Sequence, residues 1–261
     1  MKETSSIVRL AILVVLATIA TGWTAPIVNL QDGLDGYAGT QDTYILGDNR
    51  GAAPSTTQGN STTLHVFERE ITLVNDARTL ITFDVSSLPV AKTASLTLTL
   101  QAFAYGTLNV PTSLYLVSTA NGTWTEAQAT WNNLNQGTTT PWAGGAGLAT
   151  PGTDYNATAI ATLNTPASSY AAGTTMTWVF NQAGVDAIND WIANPSQNAG
   201  FFLRQGTGTP GPDIGSITQF YSSEDATVGY RPLLSVTIPE PASVALLGLS
   251  LAGLLWRRRG N

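Results

Sequence analysis

The residues of this chain best suited to recognising a ligand are aromatic, because tryptophan and tyrosine rings can pack against the apolar faces of sugars. Trp142 stands alone in a stretch rich in Gly, Thr and Pro, residues 137–152, which predicts a surface loop. Trp142 is therefore the best candidate for an exposed aromatic platform, and packing inside the domain is the alternative. Trp124, Trp131 and Tyr221 are further candidates for ligand contact, although a core or corner position suits the two tryptophans equally well.

Three carboxylates near the ends of the central region suggest a metal site. Asp42 lies close to its start, and Glu224 and Asp225 lie close to its end. If the first and last strands of the domain are neighbours, these hard oxygen ligands could hold a structural calcium ion. The alternative is that they are solvated or paired with arginine, because the chain has no EF-hand calcium loop.

Residues for catalysis are sparse. The chain has no cysteine, and its one histidine, His65, falls in a strand-like run where a structural role is favoured over that of a triad base. A glycosidase needs two carboxylates about 5–10 Å apart. Candidates exist but have no local signature, and we predict a protein that is not an enzyme; the candidates are Glu68, Glu70, Glu126 and Glu224.

The charge balance argues against nucleic acid as a partner. Without residues 1–22 and 239–261, 6 of the 11 basic and 15 of the 17 acidic residues remain, which gives a net charge of about −9. Such a surface repels phosphates and offers no basic stripe. The absence of cysteine also excludes disulfides, so stability must come from a packed core.

The elements that would position these residues are mainly strands. Short runs alternate apolar and polar residues and are separated by Gly, Pro, Asn and Ser, which predicts an all-β, antiparallel β-sandwich. We expect strands at residues 43–46, 63–67, 81–85, 96–100, 113–117, 175–180, 200–204, 217–221 and 233–238. One short helix is predicted over 181–193, and residues 23–40 and 206–215 are expected to be a linker and a loop. Trp178 and Trp191 fall in a strand and the helix and are expected to pack inside.

Both termini carry sorting features. Residues 1–22 have the basic, apolar and small-residue order of a secretory signal peptide. At the other end, Pro239-Glu240-Pro241 precedes an apolar run, residues 242–256, and then an arginine cluster. A helix over this run would be about 22 Å long, shorter than the membrane core of about 30 Å. The cluster consists of Arg257, Arg258 and Arg259, and favours the cytoplasmic side of a membrane.

This tail, residues 239–261, closely resembles the PEP-CTERM sorting signal of Gram-negative bacteria. The resemblance implies processing by an exosortase and delivery to the cell surface or the extracellular polysaccharide matrix. It also implies that the C-terminal helix engages the membrane at least transiently. Whether the mature protein stays anchored or is released is open.

The region between the termini resembles the DNRLRE domain. The similar segments are QDTYI at 41–45, RTLITFDVSSLP at 78–89, ASLTL at 94–98, WTE at 124–126 with TWNN at 130–133, and YSSE at 221–224 before YRPLLSV at 230–236. The resemblance covers residues 41–238 and implies a jelly-roll-like sandwich that binds polysaccharide. A basic groove for acidic sugars is not evident, so a neutral glycan, or an anionic one bridged by a divalent cation, fits the charge better.

Three functions follow from this sequence. The first is a non-catalytic, exported surface or matrix protein that binds polysaccharide through its sandwich. The second is a structural or adhesion protein of the matrix that binds other proteins. The third, which has least support, is a polysaccharide-degrading enzyme.

Overall fold

The computed structural model describes residues 25–47, 54–68, 76–105, 110–165, 171–205 and 217–239. Residues 28–236 belong to one compact unit. In the second unit, the described residues are 25–27 and 237–239, where the Ile238 amide donates to the Pro26 carbonyl at 3.0 Å. The predicted signal peptide, the 206–215 loop and the apolar run 242–256 lie outside the described residues. None of the helices that are described has the length and hydropathy needed to cross a membrane.

Strands dominate the described chain. They are β1 (Ile27–Leu30), β2 (Thr40–Gly47), β3 (Thr63–Glu68), β4 (Asp76–Phe83), β5 (Thr93–Tyr105), β6 (Val110–Leu116), β7 (Asn133–Asn135), β8 (Thr140–Pro141), β9 (Ala161–Thr165), β10 (Thr175–Val179), β11 (Phe201–Gln205), β12 (Ile217–Tyr221) and β13 (Leu233–Thr237). One α-helix, α1 (Gln182–Ala193), accompanies them among these residues.

The main sheet curls on itself because β5 is long enough to pair differently along its length. Its first half pairs with β10 and its second half with β12, both antiparallel. The strand order is β1-β13-β5-β12-β3-β4-β11-β6-β9, with β2 on β4 and β10 on β5. Trp178 on β10 donates its indole N–H to the Thr112 carbonyl on β6 at 2.9 Å, which joins strands that are not sheet neighbours across the interior. The predicted all-β sandwich is confirmed.

The strands β4 and β11 are buried on both faces. Ile81 and Phe201 point into the inner core, while the alternating residues Leu80 and Phe202 point outward and are buried just as completely. Residues 117–160, between β6 and β9, fold back over this outer face. Together they form what we call the outer cluster: Ile45, Leu80, Val117, Trp124, Ala129, Trp131, Leu134, Trp142, Leu148, Tyr155, Ala199 and Phe202.

All nine predicted strands have a counterpart, but β4 occupies Asp76–Phe83 where 81–85 was predicted, and β5 extends over Thr93–Tyr105 where 96–100 was predicted. Helix α1 begins where predicted, because the Asn181 side chain caps it by accepting a hydrogen bond from the Gly184 amide. The prediction of a linker over residues 23–40 is wrong in part, since Ile27–Leu30 forms strand β1 beside β13. This strand is too short to show an alternation, and its pairing with a distant strand gives it regular structure.

Candidate functional site

The prediction that Trp142 is an exposed platform is wrong. Its side chain is 2% exposed, and its indole N–H donates to the Thr130 carbonyl at 2.9 Å. Trp124 and Trp131 are also buried in the outer cluster, and Trp124 donates to the Ala199 carbonyl at 2.8 Å. These tryptophans therefore stabilise the fold of residues 117–160 and do not offer open ring faces to a sugar.

The loop around Trp142 is held down by Arg78 on β4. The Arg78 guanidinium pairs with Asp76 at 3.3 Å, donates to the Gly147 carbonyl, and lies 4.7 Å from the centre of the Trp131 ring. Gly147 has a φ of +78°, and a Cβ there would lie 2.4 Å from the Trp131 ring. Only glycine allows this close approach, which explains why a Gly-rich stretch is packed against the sheet.

A run of three adjoining clefts lies between α1 and the outer cluster, and we call it the groove. The first cleft, of about 300 Å³, is lined by Gln41, Asp84, Thr123 and Asn198 among others. The second, of about 420 Å³, shares Trp191 with the first. The third, of about 180 Å³, shares Thr119 and Gln197 with the second. The shared wall residues place the three clefts next to one another.

Neutral polar groups dominate the rim of the groove. Gln41, Asn156, Asn194 and Gln197 are exposed amides that can both donate and accept hydrogen bonds. No lysine or arginine lines any of the three clefts among the described residues. Trp124 and Trp191 contribute to the wall of the first cleft, but their side chains are 3% and 5% exposed and leave little ring surface accessible. This chemistry suits a ligand rich in hydroxyl groups and poor in charge.

Asp42 and Glu224, predicted as metal ligands, belong to one acidic cluster. Asp42 is 1% exposed, and its Oδ2 accepts from the Ser223 amide at 2.8 Å. The Ser223 hydroxyl donates to Glu224 Oε1 at 2.8 Å, and the Asp42 amide donates to Glu126 Oε2 at 3.3 Å. Burial, followed by the charges of Glu224 and Glu126, raises the pKa of Asp42 well above its usual value.

The third predicted ligand, Asp225, does not join this cluster in the described contacts. Its Oδ1 accepts from the Thr227 amide at 2.8 Å and so closes a local turn. Glu126 takes its place, and its pKa is raised by burial and by the charge of Glu224. No local pattern in the sequence links Glu126 with Asp42 and Glu224, because the three residues lie far apart along the chain. Within the described residues, no group of three or more His, Cys, Asp or Glu side chains is arranged to hold a metal ion.

His65 has a structural environment. Its ring stacks on Tyr44, with 4.3 Å between centroids and 4° between planes, and its Nε2 lies 3.1 Å from the Thr63 hydroxyl. Burial lowers its pKa to about 4. Its described contacts include no carboxylate, so they do not build a triad. Among the glycosidase candidates, Glu126 and Glu224 approach each other but line none of the three clefts, while Glu70 and the side chain of Glu68 lie outside the described residues.

Tyr221 lies apart from the groove. It is half-buried and stacks on Tyr230, with centroids 4.7 Å apart and an interplanar angle of 22°. Neither ring lines one of the three clefts. Contact of Tyr221 with a ligand stays a prediction.

Comparison with known families agrees with this chemistry. Residues 36–143 match carbohydrate-binding module family 96, a range that includes Gln41 and most of the first cleft. Residues 237–259 match the PEP-CTERM protein-sorting motif. A search of curated proteins finds no match.

These two matches define the class: a carbohydrate-binding protein that is exported and sorted to the cell surface. The predicted function is thereby confirmed at this level, and the second match supports processing by an exosortase. The matched tail includes all six predicted signal residues, Pro239, Glu240, Pro241, Arg257, Arg258 and Arg259. Of these, only Pro239 is among the described residues.

Proposed function

We propose that the groove binds a neutral polysaccharide and that the protein does so without cleaving it. The observation that carries this proposal is the lining of the groove, where exposed amides and hydroxyls occur without a described basic side chain. Amides match sugar hydroxyls because both donate and accept hydrogen bonds. An acidic polysaccharide would instead meet Asp84 and Asp190, and repulsion would oppose its binding.

The binding module, in this proposal, is larger than residues 36–143. The DNRLRE-like segments continue to residue 236, and the second and third clefts are walled by residues of α1 and the turn after it. The strands that follow residue 143 also complete the curled sheet, because β10, β12 and β13 all pair with or adjoin β5. A single module over about residues 41–238 accounts for both features.

The proposal also covers the cellular setting. The chain would leave a Gram-negative bacterium through its N-terminal signal, with residues 242–256 in the membrane during sorting. The sandwich would then act at the surface or in the extracellular matrix, tethered or released according to how the tail is processed.

The test is affinity electrophoresis of the full chain in gels that contain one neutral or one acidic polysaccharide, followed by titration with the best ligand. We expect retardation in a neutral gel. Replacing Asn194 and Gln197 together by Ala should weaken binding by about 10-fold or more, since each lost hydrogen bond is worth about 0.5–1.5 kcal/mol. The matched control is Asn60→Ala, an exposed amide outside the groove, which should bind like the original chain.

Four outcomes would contradict the proposal. Unchanged binding by the double variant would remove the groove from the interaction. Retardation by acidic polysaccharides alone would show that the charge argument is wrong. Release of new reducing ends would identify an enzyme, and the absence of binding to any glycan would favour the structural or adhesion function.

A further inference from the structure

The acidic cluster brings together three carboxylates that are far apart in sequence. Asp42 is the third residue of strand β2, Glu126 lies two positions after Trp124, and Glu224 follows β12. The contacts that join them span 84 and 181 positions. None of the three forms an ion pair with a described lysine or arginine, and the charges that act on Asp42 are those of Glu224 and Glu126. The cluster therefore concentrates negative charge without a basic partner among these residues.

Two oxygens of this cluster are buried without a hydrogen-bond partner in the described structure. They are Asp42 Oδ1 and Glu224 Oε2. The other oxygen of each carboxylate is already held by Ser223, through its amide on Asp42 and its hydroxyl on Glu224. Ser223 thus orients both carboxylates and leaves one acceptor of each unused. A buried carboxylate oxygen without a donor is costly, and a like-charged neighbour raises that cost.

We propose that Asp42 and Glu224 bind a calcium ion through these two oxygens. Calcium is the cation that fits, because it accepts carboxylate oxygens in flexible geometry and completes its shell of six to eight oxygens with carbonyls and water. Glu126 adds negative charge beside the ion and is held against Asp42 because its Oε2 accepts a hydrogen bond from the Asp42 amide. Only two side chains are direct ligands, which accords with the absence of a group of three among the described residues.

The affinity expected of such a site is modest. Extracellular calcium modules with few charged ligands have dissociation constants of about 10⁻⁴–10⁻³ M. An exported protein meets calcium at such concentrations, whereas a cytoplasmic one does not. By linking β2 to the segment after β12, the ion would join the beginning and the end of the sandwich.

The experiment is isothermal titration of the chelator-treated full chain with CaCl2, together with thermal unfolding in EDTA and in 5 mM CaCl2. We expect one saturable site and a higher Tm in calcium. Asp42→Asn and Glu224→Gln should each weaken calcium binding at least tenfold and abolish the shift in Tm. Asp225→Asn is the matched control, because Asp225 is a neighbouring carboxylate engaged in its own turn, and it should bind calcium normally.

Glu224→Gln keeps the test decisive if Asp42→Asn fails to fold, since Glu224 is only half-buried. The proposal is overturned if calcium neither binds nor shifts the Tm. It is also overturned if Asp42→Asn and Glu224→Gln bind calcium as well as Asp225→Asn does. Either result leaves the glycan proposal intact, because none of these residues belongs to the tested part of the groove.

Discussion

Asp154 and Asp42 are buried to nearly the same extent, at 0% and 1% exposure, but their surroundings differ. Asp154 accepts from the Gly144 amide through Oδ1 at 2.6 Å and from the Thr150 amide through Oδ2 at 2.9 Å. Asp42 has one such donor, the Ser223 amide, and two acidic neighbours. Both oxygens of Asp154 therefore accept a hydrogen bond from a backbone amide, whereas in Asp42 only Oδ2 does so.

The difference shows what each carboxylate does for the fold. Asp154 organises residues 144–154 by collecting amides that the loop could not satisfy otherwise, and this loop in turn covers the outer face of β4 and β11. Asp42 joins two distant segments in an arrangement that raises its pKa through burial and repulsion. A buried carboxylate can therefore stabilise a loop when amide donors surround it. Where such donors are too few, it is destabilising unless a cation or a proton neutralises it.

The largest expected effect is that of Asp154→Ala. Removing this side chain leaves the Gly144 and Thr150 amides without their acceptor, so we expect the free energy of unfolding to fall by about 3 kcal/mol. Urea unfolding followed by tryptophan fluorescence measures this change. Asp186→Ala, at an exposed helix position, is the control and should change stability by less than about 0.5 kcal/mol. A loss below about 1 kcal/mol for Asp154→Ala would show that the loop does not depend on its carboxylate.

An intermediate effect is expected from His65, a half-buried ionisable group whose described neighbours are neutral: the Tyr44 and Phe67 rings and the Thr63 hydroxyl. Its pKa of about 4 in the folded protein lies below the unfolded value of about 6.5, so the unfolded chain takes up the proton first as the pH falls. Its contribution to stability is complete above about pH 6.5 and is lost progressively towards pH 4.

The two pKa values correspond to a loss of about 3 kcal/mol for a fully buried group, and the partial exposure of the ring reduces the expected loss to about 2 kcal/mol. The difference between the original chain and His65→Phe isolates this loss. Phe keeps a ring against Tyr44 but cannot be protonated. We expect the stability gap between pH 7.5 and pH 4 to be smaller in the variant by that amount, as measured by urea unfolding at both values. Equal pH dependence in the two proteins would rule out His65 as a source of acid sensitivity.

The smallest expected change in stability is that caused by Asp42→Asn and Asp154→Asn, each measured in EDTA. These two variants also test the comparison of the two aspartates most directly. Asp42→Asn removes a poorly solvated charge from beside Glu224 and Glu126, so stability should rise by up to about 1 kcal/mol. Asp154→Asn should lower it, because an amide can replace only one of the two acceptors. Thermal unfolding of both variants gives the signs. If both variants lose stability equally, the two carboxylates are equivalent and the comparison fails.

Local patterns in the sequence predicted most of the sheet. The run Leu96, Leu98 and Leu100 alternates with threonines, and all three leucines are fully buried in β5. Helix α1 was equally readable, because its apolar spacing and its Asn181 cap are both local. Strand β1 was missed, since Ile27–Leu30 acquires its structure by pairing with residues about 200 positions away, as the contact between Gln31 and Arg231 across 200 positions illustrates.

The sequence by itself determined the class of fold, the presence of a sorting tail and the shortage of basic residues for an acidic ligand. The tertiary structure decided which aromatic residues are accessible and which carboxylates meet. Trp142 is buried because Arg78 and Gly147 hold its loop against β4. Glu126, and not Asp225, joins the acidic cluster because of contacts between distant segments. Alternation is a local property of the chain, whereas burial and charge clustering depend on which remote segments pack together.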